Sequence, residues 1–502
     1  MLSHSGAYYR SRFQICIAFV RSISVNSDSR GTLFHRLKNN PNRKAASAVL
    51  RGLIPGRKVQ VVARHTELLD AIIPQIREQG DIDPAVLAPG YNALASLKVF
   101  DAPDLLARNG VDAIALAALA RRHPETVLVV SALHIGGAEK YAADISEALA
   151  NGQAGNLMVL VTDQTRAEAE RWKNVAILAP LWKANPVFWR DECRGEGWQN
   201  PTNLAKFLNF TQPANLIIVN TQLGFEAVIR HGRRLSQLSQ IACAYFGLGV
   251  DALTAPWSIR FPRLTWPYAT SLTDSAHVAD KLGERYGRIP GPGVFVLPPR
   301  HEPAPEALFS ARVSNRAARA KDASRKRRWV WISRIERWKG TAILAALAAQ
   351  RPQDEFVLYG PMQESLRTLG LKRRNIRHAG QVADTAKLDL SMFDGFLFTS
   401  LFESMPNIVL EMVEHGLPMV LSDVGGLRET FDPERDGVTL VPHQTSVEHT
   451  AAAFSEALNA VADLRADAIA TTAAAARAAV MRRHAPKVFQ STLAQYFGSP
   501  LS

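Results

Sequence analysis

The chain has 502 residues, 47% of them hydrophobic and 21% charged, with a formal net charge of +13. That length predicts two or three domains with a sizeable core, and no apolar run reaches the roughly 18 residues of a membrane span. The three cysteines, Cys16, Cys193 and Cys243, are far apart, which argues against a zinc site or disulfide framework and makes a reducing cytosol the simplest compartment.

Residues 1–55 are basic and lack sustained periodicity, so a poorly ordered extension is expected there. Within them "FQICIAFV" is short, flanked by arginines and without a small-residue cleavage site, which argues against a secretory signal. Residues 56–122 carry helical patterns, "ELLDAIIPQIREQG" and "DAIALAALARRH", but no motif that assigns a role.

From 123 the texture changes. Short apolar runs ("TVLVVSAL", "NLMVLVTD", "VAILAPL", "ANLIIVN", "IACAYF", "ATSLTDS", "VFVLPP") alternate with helical stretches. Unbroken apolar strands separated by helices predict a parallel sheet covered on both faces, hence a Rossmann-like domain over 123–298. The Pro-rich, then Arg/Lys-rich stretch 299–327 reads as a linker or insertion. The alternation restarts over 328–480 with "RWVWISRI", "EFVLYG", "NIRHAGQV", "DGFLFTS", "LPMVLSD" and "VTLVP", a second doubly wound domain. Residues 481–502 are helical and are expected to pack on the domains.

The basic runs, "RLKNNPNRKAASAVLRG" and "NRAARAKDASRKRRW", suit phosphate-bearing partners, although such runs are more often merely solvated. Neither is interleaved with aromatics or tied to a nucleic-acid module, so nucleic-acid binding is not expected.

In open parallel sheets ligands gather beyond the carboxyl ends of the strands. After "DGFLFTS" comes "LFESMP", then the helix "NIVLEMVEHG", whose free N-terminal N–H groups suit an anion and whose entrance suits Pro406. Glu403 can reach a ligand lying there, and Glu411, about one turn into the helix, can accept from two vicinal hydroxyls of a ribose or sugar. After "RWVWI", Arg334 and Lys339 precede Gly340 at a strand-to-helix turn, where two cations can neutralise a diphosphate leaving group without metal. For a lone glutamate or for Arg337, a solvated surface charge is the ordinary reading.

These motifs, with "EFVLYGP", "IRHAGQV" and "GLPMVLSDVGGLRE" in order, resemble the C-terminal domain of the family 4 retaining glycosyltransferases of GT-B fold. The resemblance extends to "SALHIGGAEKYAADI", where Gly136 and Gly137 follow the first strand. It implies an α/β fold of two tandem Rossmann-like domains facing a cleft, and a hexosyltransferase-type enzyme using a nucleotide-sugar donor, UDP- or GDP-linked, with no cofactor or metal. By the same resemblance Arg334, Lys339 and the stretch Ser404, Met405, Pro406 and Asn407 would meet the diphosphate, Glu403 the donor sugar, Glu411 the ribose, and Gly136 and Gly137 the donor phosphates and acceptor. Gly360, Gly380 and Val382 would lie in main-chain loops against the base, which leaves uracil, guanine and adenine open.

Many members carry a histidine after a middle strand of the N-terminal domain, whereas "IACAYFGLGVDAL" has none. Asp251 and His134 are the acceptor-side candidates, and Trp182 and Trp189 in "LWKANPVFWRDECRGEGW" are candidates to offer rings to a sugar or lipid, although aromatics in such stretches are more often core anchors. The expected acceptor is a glycan or polyprenyl-linked sugar in cell-surface polysaccharide synthesis, met in the cytoplasm or at the anionic inner face of the membrane. A non-catalytic glycan- or nucleotide-binding partner subunit is the alternative. A dinucleotide oxidoreductase is disfavoured because no G-x-G-x-x-G follows a strand.

Overall fold

The computed structural model describes residues 123–498, apart from 152–155, 194, 247–261, 287–291, 323–324 and 383. The extension over 1–122 and Asp251 lie outside the described residues.

The first domain is a seven-stranded sheet, β3-β2-β1-β4-β5-β6-β7. Its strands are β1 (Thr126–Val130), β2 (Leu157–Val161), β3 (Val187–Phe188), β4 (Asn215–Val219), β5 (Gln240–Tyr245), β6 (Thr270–Thr273) and β7 (Val294–Val296). Every neighbouring pair is parallel. Helices α1 (Gly137–Asn151), α2 (Pro201–Thr211), α3 (Gln222–Leu235) and α4 (Ala276–Tyr286) connect them. Apolar clusters cover both faces, which is why β1 reads "TVLVV" and is buried throughout.

One predicted strand is a correction. "VAILAPL" forms a 3-10 turn, Ala176–Leu178, and a short helix, Ala179–Lys183. Pro180 cannot donate to a ladder and sits in the helix's first turn, while Leu178 and Leu181, three apart, share the buried face.

Between the domains, residues expected as a linker hold the helix α5 (Glu306–Ala320). Two of its arginines are tied to the second domain. Buried Arg316 donates to the Phe393 carbonyl and to Leu390 O at 3.1 Å, and Arg312 donates to Glu414 O at 3.0 Å. Farther along the same run Arg319, Arg325 and Arg327 all pair with Asp394.

The second sheet runs β10-β9-β8-β11-β12-β13, again all parallel. It comprises β8 (Arg328–Ile332), β9 (Glu355–Tyr359), β10 (Ile376–His378), β11 (Gly395–Phe398), β12 (Met419–Ser422) and β13 (Val438–Val441). Helices α6 (Thr341–Gln350), α7 (Asn407–Val413), α8 (Leu427–Thr430) and α9 (Val447–Ala462) connect its strands or follow them. The long α10 (Ala466–His484) packs Ala476, Ala479 and Val480 on this sheet's core. The chain then crosses back: α11 (Pro486–Phe497) places Phe489, Leu493 and Tyr496 in the core of the first domain. At the crossing His484 is buried, with Nδ1 2.8 Å from Pro299 O and Nε2 2.8 Å from Thr430 Oγ1. No helix among the described residues is long and apolar enough to cross a membrane.

Candidate functional site

Each sheet reverses its strand order beside its first strand, with β4 next to β1 and β11 next to β8. Loops diverge at such a reversal and leave a crevice for a ligand. The loops after β1, β8 and β11 carry most of the residues singled out from sequence.

In the second domain a 3-10 turn, Arg337–Lys339, follows β8 and ends at Gly340, whose φ of +69° is left-handed. A side chain at Gly340 would collide with the Thr399 carbonyl, so only glycine lets this turn lie against the end of β11. Thr399 Oγ1 donates to Lys339 O at 2.9 Å and Leu401 N to Trp338 O at 3.1 Å, locking the two loops together. As a result Lys339 Nζ reaches Glu403 Oε1 at 2.5 Å, and Ser400 Oγ donates to the same oxygen at 2.8 Å. Arg334, earlier on this turn, is more than half exposed and pairs with Glu336 at 3.1 Å.

On α7, the Glu411 carboxylate accepts from Thr385 Oγ1 at 2.6 Å. Burial pushes its pKa above the usual carboxylate range, opposed by the Thr385 hydrogen bond and by the charges of Lys140 and His301. Lys140 belongs to the first domain, in the first turn of α1, so the two domains meet electrostatically at Glu411. They also meet sterically: a side-chain carbon on Gly137 would lie 3.5 Å from Asn407 Nδ2. Asn407 Oδ1 is buried there with no hydrogen-bond partner among the described residues, a cost that a donor from a ligand would relieve.

Ser404 and Pro406 are buried, and Ser404 bonds to Asp274 and Ser275 of the first domain. Met405 differs from expectation on its side chain, which lies in the core under the loop, leaving only its backbone at the site. Gly360 and Gly380 join two further loops through Gly360 N–H to Gly380 O at 2.9 Å, and Val382 follows, part-buried. Gly360 has φ +139°, and a side chain there would strike the Ser333 carbonyl beside Arg334.

On the first domain's side, His134, Gly136 and Gly137 follow β1. Close against Gly136 lies Glu139, buried, hydrogen-bonded to the Asn220 side chain and 3.6 Å from His134 Nδ1. Desolvation holds the Glu139 carboxyl above its ordinary range, against the lowering effect of His134.

Trp189 does not offer its ring to an acceptor, and Trp182 is partly buried against the core. Trp189 is wholly buried in the first domain's core with its Nε1 donating to Trp198 O at 3.0 Å, and Trp182 packs 5.9 Å from the Phe188 ring.

Glu139, Lys140, Asp274 and Thr385 were not legible as site residues. The first two stand two and three residues after the glycine pair, in the first turn of α1, and that position is the one available signal. Asp274 and Thr385 arrive through tertiary contact alone. A cavity of about 560 Å³ includes Arg428, Arg435, Arg482 and Arg483 but none of the residues singled out from sequence. Each of these arginines already pairs with a carboxylate: Asp423, Asp432, Asp436 and Glu429 respectively.

Residues 326–460 match the family model of glycosyl transferases group 1, which covers most of the second domain. No curated protein matches the chain. Among solved structures, HepE from Anabaena, in complex with UDP and glucose, is 17% identical with a TM-score of 0.56, over 75% of this chain and 100% of its own. The lipopolysaccharide outer core galactosyltransferase WaaB is 14% identical with a TM-score of 0.52, covering 74% and 99%. Sucrose-phosphate synthase from Thermosynechococcus elongatus is 18% identical with a TM-score of 0.53, covering 75% and 98%. At these identities the likeness is one of architecture, and it establishes that residues 123–498 form a GT-B fold whose second domain carries the glycosyl transferases group 1 signature.

Proposed function

We propose that the chain is a retaining glycosyltransferase of family 4 that moves a hexose from a nucleotide sugar to a glycan or polyprenyl-linked acceptor in cell-surface polysaccharide synthesis. The observation that carries this reading is the contact of Lys339 with Glu403, because it brings the turn after β8 and the loop after β11 to one point beside a crevice. A cation beside the diphosphate stabilises the charge that builds on the leaving group, and Arg334 on the same turn is exposed and able to swing in. Glu411 accepts from the ribose hydroxyls and Glu403 from the donor sugar.

In the transfer the bond from the anomeric carbon to the diphosphate oxygen breaks, and a bond from that carbon to the acceptor oxygen forms. The acceptor's proton passes to the departing phosphate oxygen. No covalent intermediate, cofactor or metal is invoked. The presence of UDP and glucose in the HepE complex makes UDP-glucose the first donor to try. We place the reaction in the cytoplasm.

The test supplies UDP- and GDP-sugars with simple glycoside and polyprenyl-phosphate sugar acceptors and follows nucleoside diphosphate release, with proton NMR of the product's anomeric coupling. Release with the donor's own anomeric configuration in the product supports the reading. Tight nucleotide binding without any release favours a non-catalytic partner subunit, a reading kept because "IACAYFGLGVDAL" supplies no histidine.

A further inference from the structure

Asp274 follows β6 in the first domain, yet beyond its own backbone and its neighbour Ser275, whose Oγ lies 3.5 Å from Oδ1, the donors to its carboxylate belong to the second. It accepts from Ser404 Oγ and from the backbone N–H of Met405. Ser275 Oγ lies 3.2 Å from Ser404 Oγ, and from the other side Gly426 N donates to Ser404 O at 2.7 Å. The loop 404–406 is therefore gripped between its own domain and the opposite one. Next to it Ala276 N and His277 N, in the first turn of α4, donate to the two Glu429 oxygens at 2.9 and 2.7 Å, and Glu429 also pairs with Arg483.

We propose that Asp274 is a positioning residue: through Ser404 and Met405 it ties the shape of the donor loop to the closed arrangement of the two domains. The proposal rests on the donor reading of that loop. Its physical basis is that both second-domain donors to Asp274, Ser404 Oγ and the Met405 N–H, leave when the domains part, so the loop loses the brace on that side and the carboxylate opens to water.

Protons report this coupling. Desolvation in the closed form raises the Asp274 carboxyl to about 7, helped by the Glu429 charge and opposed by Ser404 and Met405. The other titratable groups around it are the Tyr141 phenol on α1, itself held well above its usual range, His277 on α4, and Arg483 beyond Glu429. In water a free aspartate titrates near 3.9. The closed form thus binds more protons between these values, so closure is favoured at the acidic end and weakens as pH rises through about 7.

The experiment is small-angle X-ray scattering of the full chain from pH 5.5 to 8.5, paired with donor KM over the same range, for wild type, Asp274→Asn and Asp274→Ala. Asn retains an acceptor for Met405 and cannot ionise. The expected result is a wild type that expands and loses donor affinity with rising pH, an Asn variant flat in both, and an Ala variant expanded throughout with donor KM up about tenfold. Should the Ala variant fail to fold, Ser404→Ala removes the same hydrogen bond from the opposite domain and is expected to expand likewise. A wild type and variants with the same dimensions at every pH would overturn the proposal. A wild type that turns over no donor yet expands with pH would overturn the donor reading and leave the domain tie standing.

Discussion

Lys339 Nζ and Glu403 Oε1 are 2.5 Å apart, each side chain only 16% exposed, and this pair bridges the loops after two neighbouring strands. Removing one member strands the other in a partly desolvated site. Lys339→Ala is expected to lower kcat on the order of 10²-fold or more, with a smaller change in donor KM, because the charge it meets develops in the transition state. The double variant Lys339→Ala/Glu403→Gln is expected to recover thermal stability without recovering turnover. Steady-state kinetics beside melting curves checks both.

Glu411 must be ionised to accept from two ribose hydroxyls, and burial raises its pKa. Nucleotide affinity is therefore expected to fall on acidification at a higher pH than an ordinary carboxylate would give. Thr385→Val removes a hydrogen bond that favours the charged form. It should move the fall to still higher pH, as read from UDP titrations between about pH 4.5 and 8.

Gly340 and Gly370 share a left-handed φ, +69° and +70°, but differ in space. A side chain at Gly340 meets the Thr399 carbonyl, whereas at Gly370 the nearest atom is Ala345 Cβ at 3.7 Å. Gly370→Ala should cost only the left-handed strain, about 1–2 kcal/mol. Gly340→Ala should cost more, and by forcing apart the loops that hold Lys339 and Glu403 it should also depress turnover. Urea denaturation of both variants separates the two effects.

The two domains were legible because their strands are buried on both faces and so read as unbroken apolar runs. "VAILAPL" was misread for the same reason: periodicity over seven residues does not separate a strand from a buried helical turn, and Pro180 was the overlooked cue. The positions of Lys339, Glu403 and Glu411 in the loops and helix after β8 and β11 were legible because strand-loop-helix order places them. Between the two readings of Trp189, acceptor contact or core anchor, sequence did not decide, since it shows an aromatic's presence but not its burial. Asp274 touches a loop 130 residues away, and nothing local announces such a contact.

His484 sits where the chain crosses between domains, and burial lowers its pKa to about 3. The unfolded chain, with an ordinary histidine near 6.5, binds the extra proton first, so this group's contribution to stability is full above that value and is lost as pH falls toward about 3. His484→Gln should remove that dependence. The stability gap between wild type and variant is expected to narrow by about 2 kcal/mol between pH 7.5 and 5. The comparison is made as a difference because Asp274, Glu139 and Glu411, all raised, act in the opposite sense.

The most direct test of the donor site is isothermal titration of UDP, GDP and ADP into the wild type and into Glu411→Ala. The account predicts that one nucleoside diphosphate binds the wild type and that the substitution weakens it at least about tenfold. A folded wild type that binds none of the three, or binds one with Glu411→Ala unchanged, would contradict it.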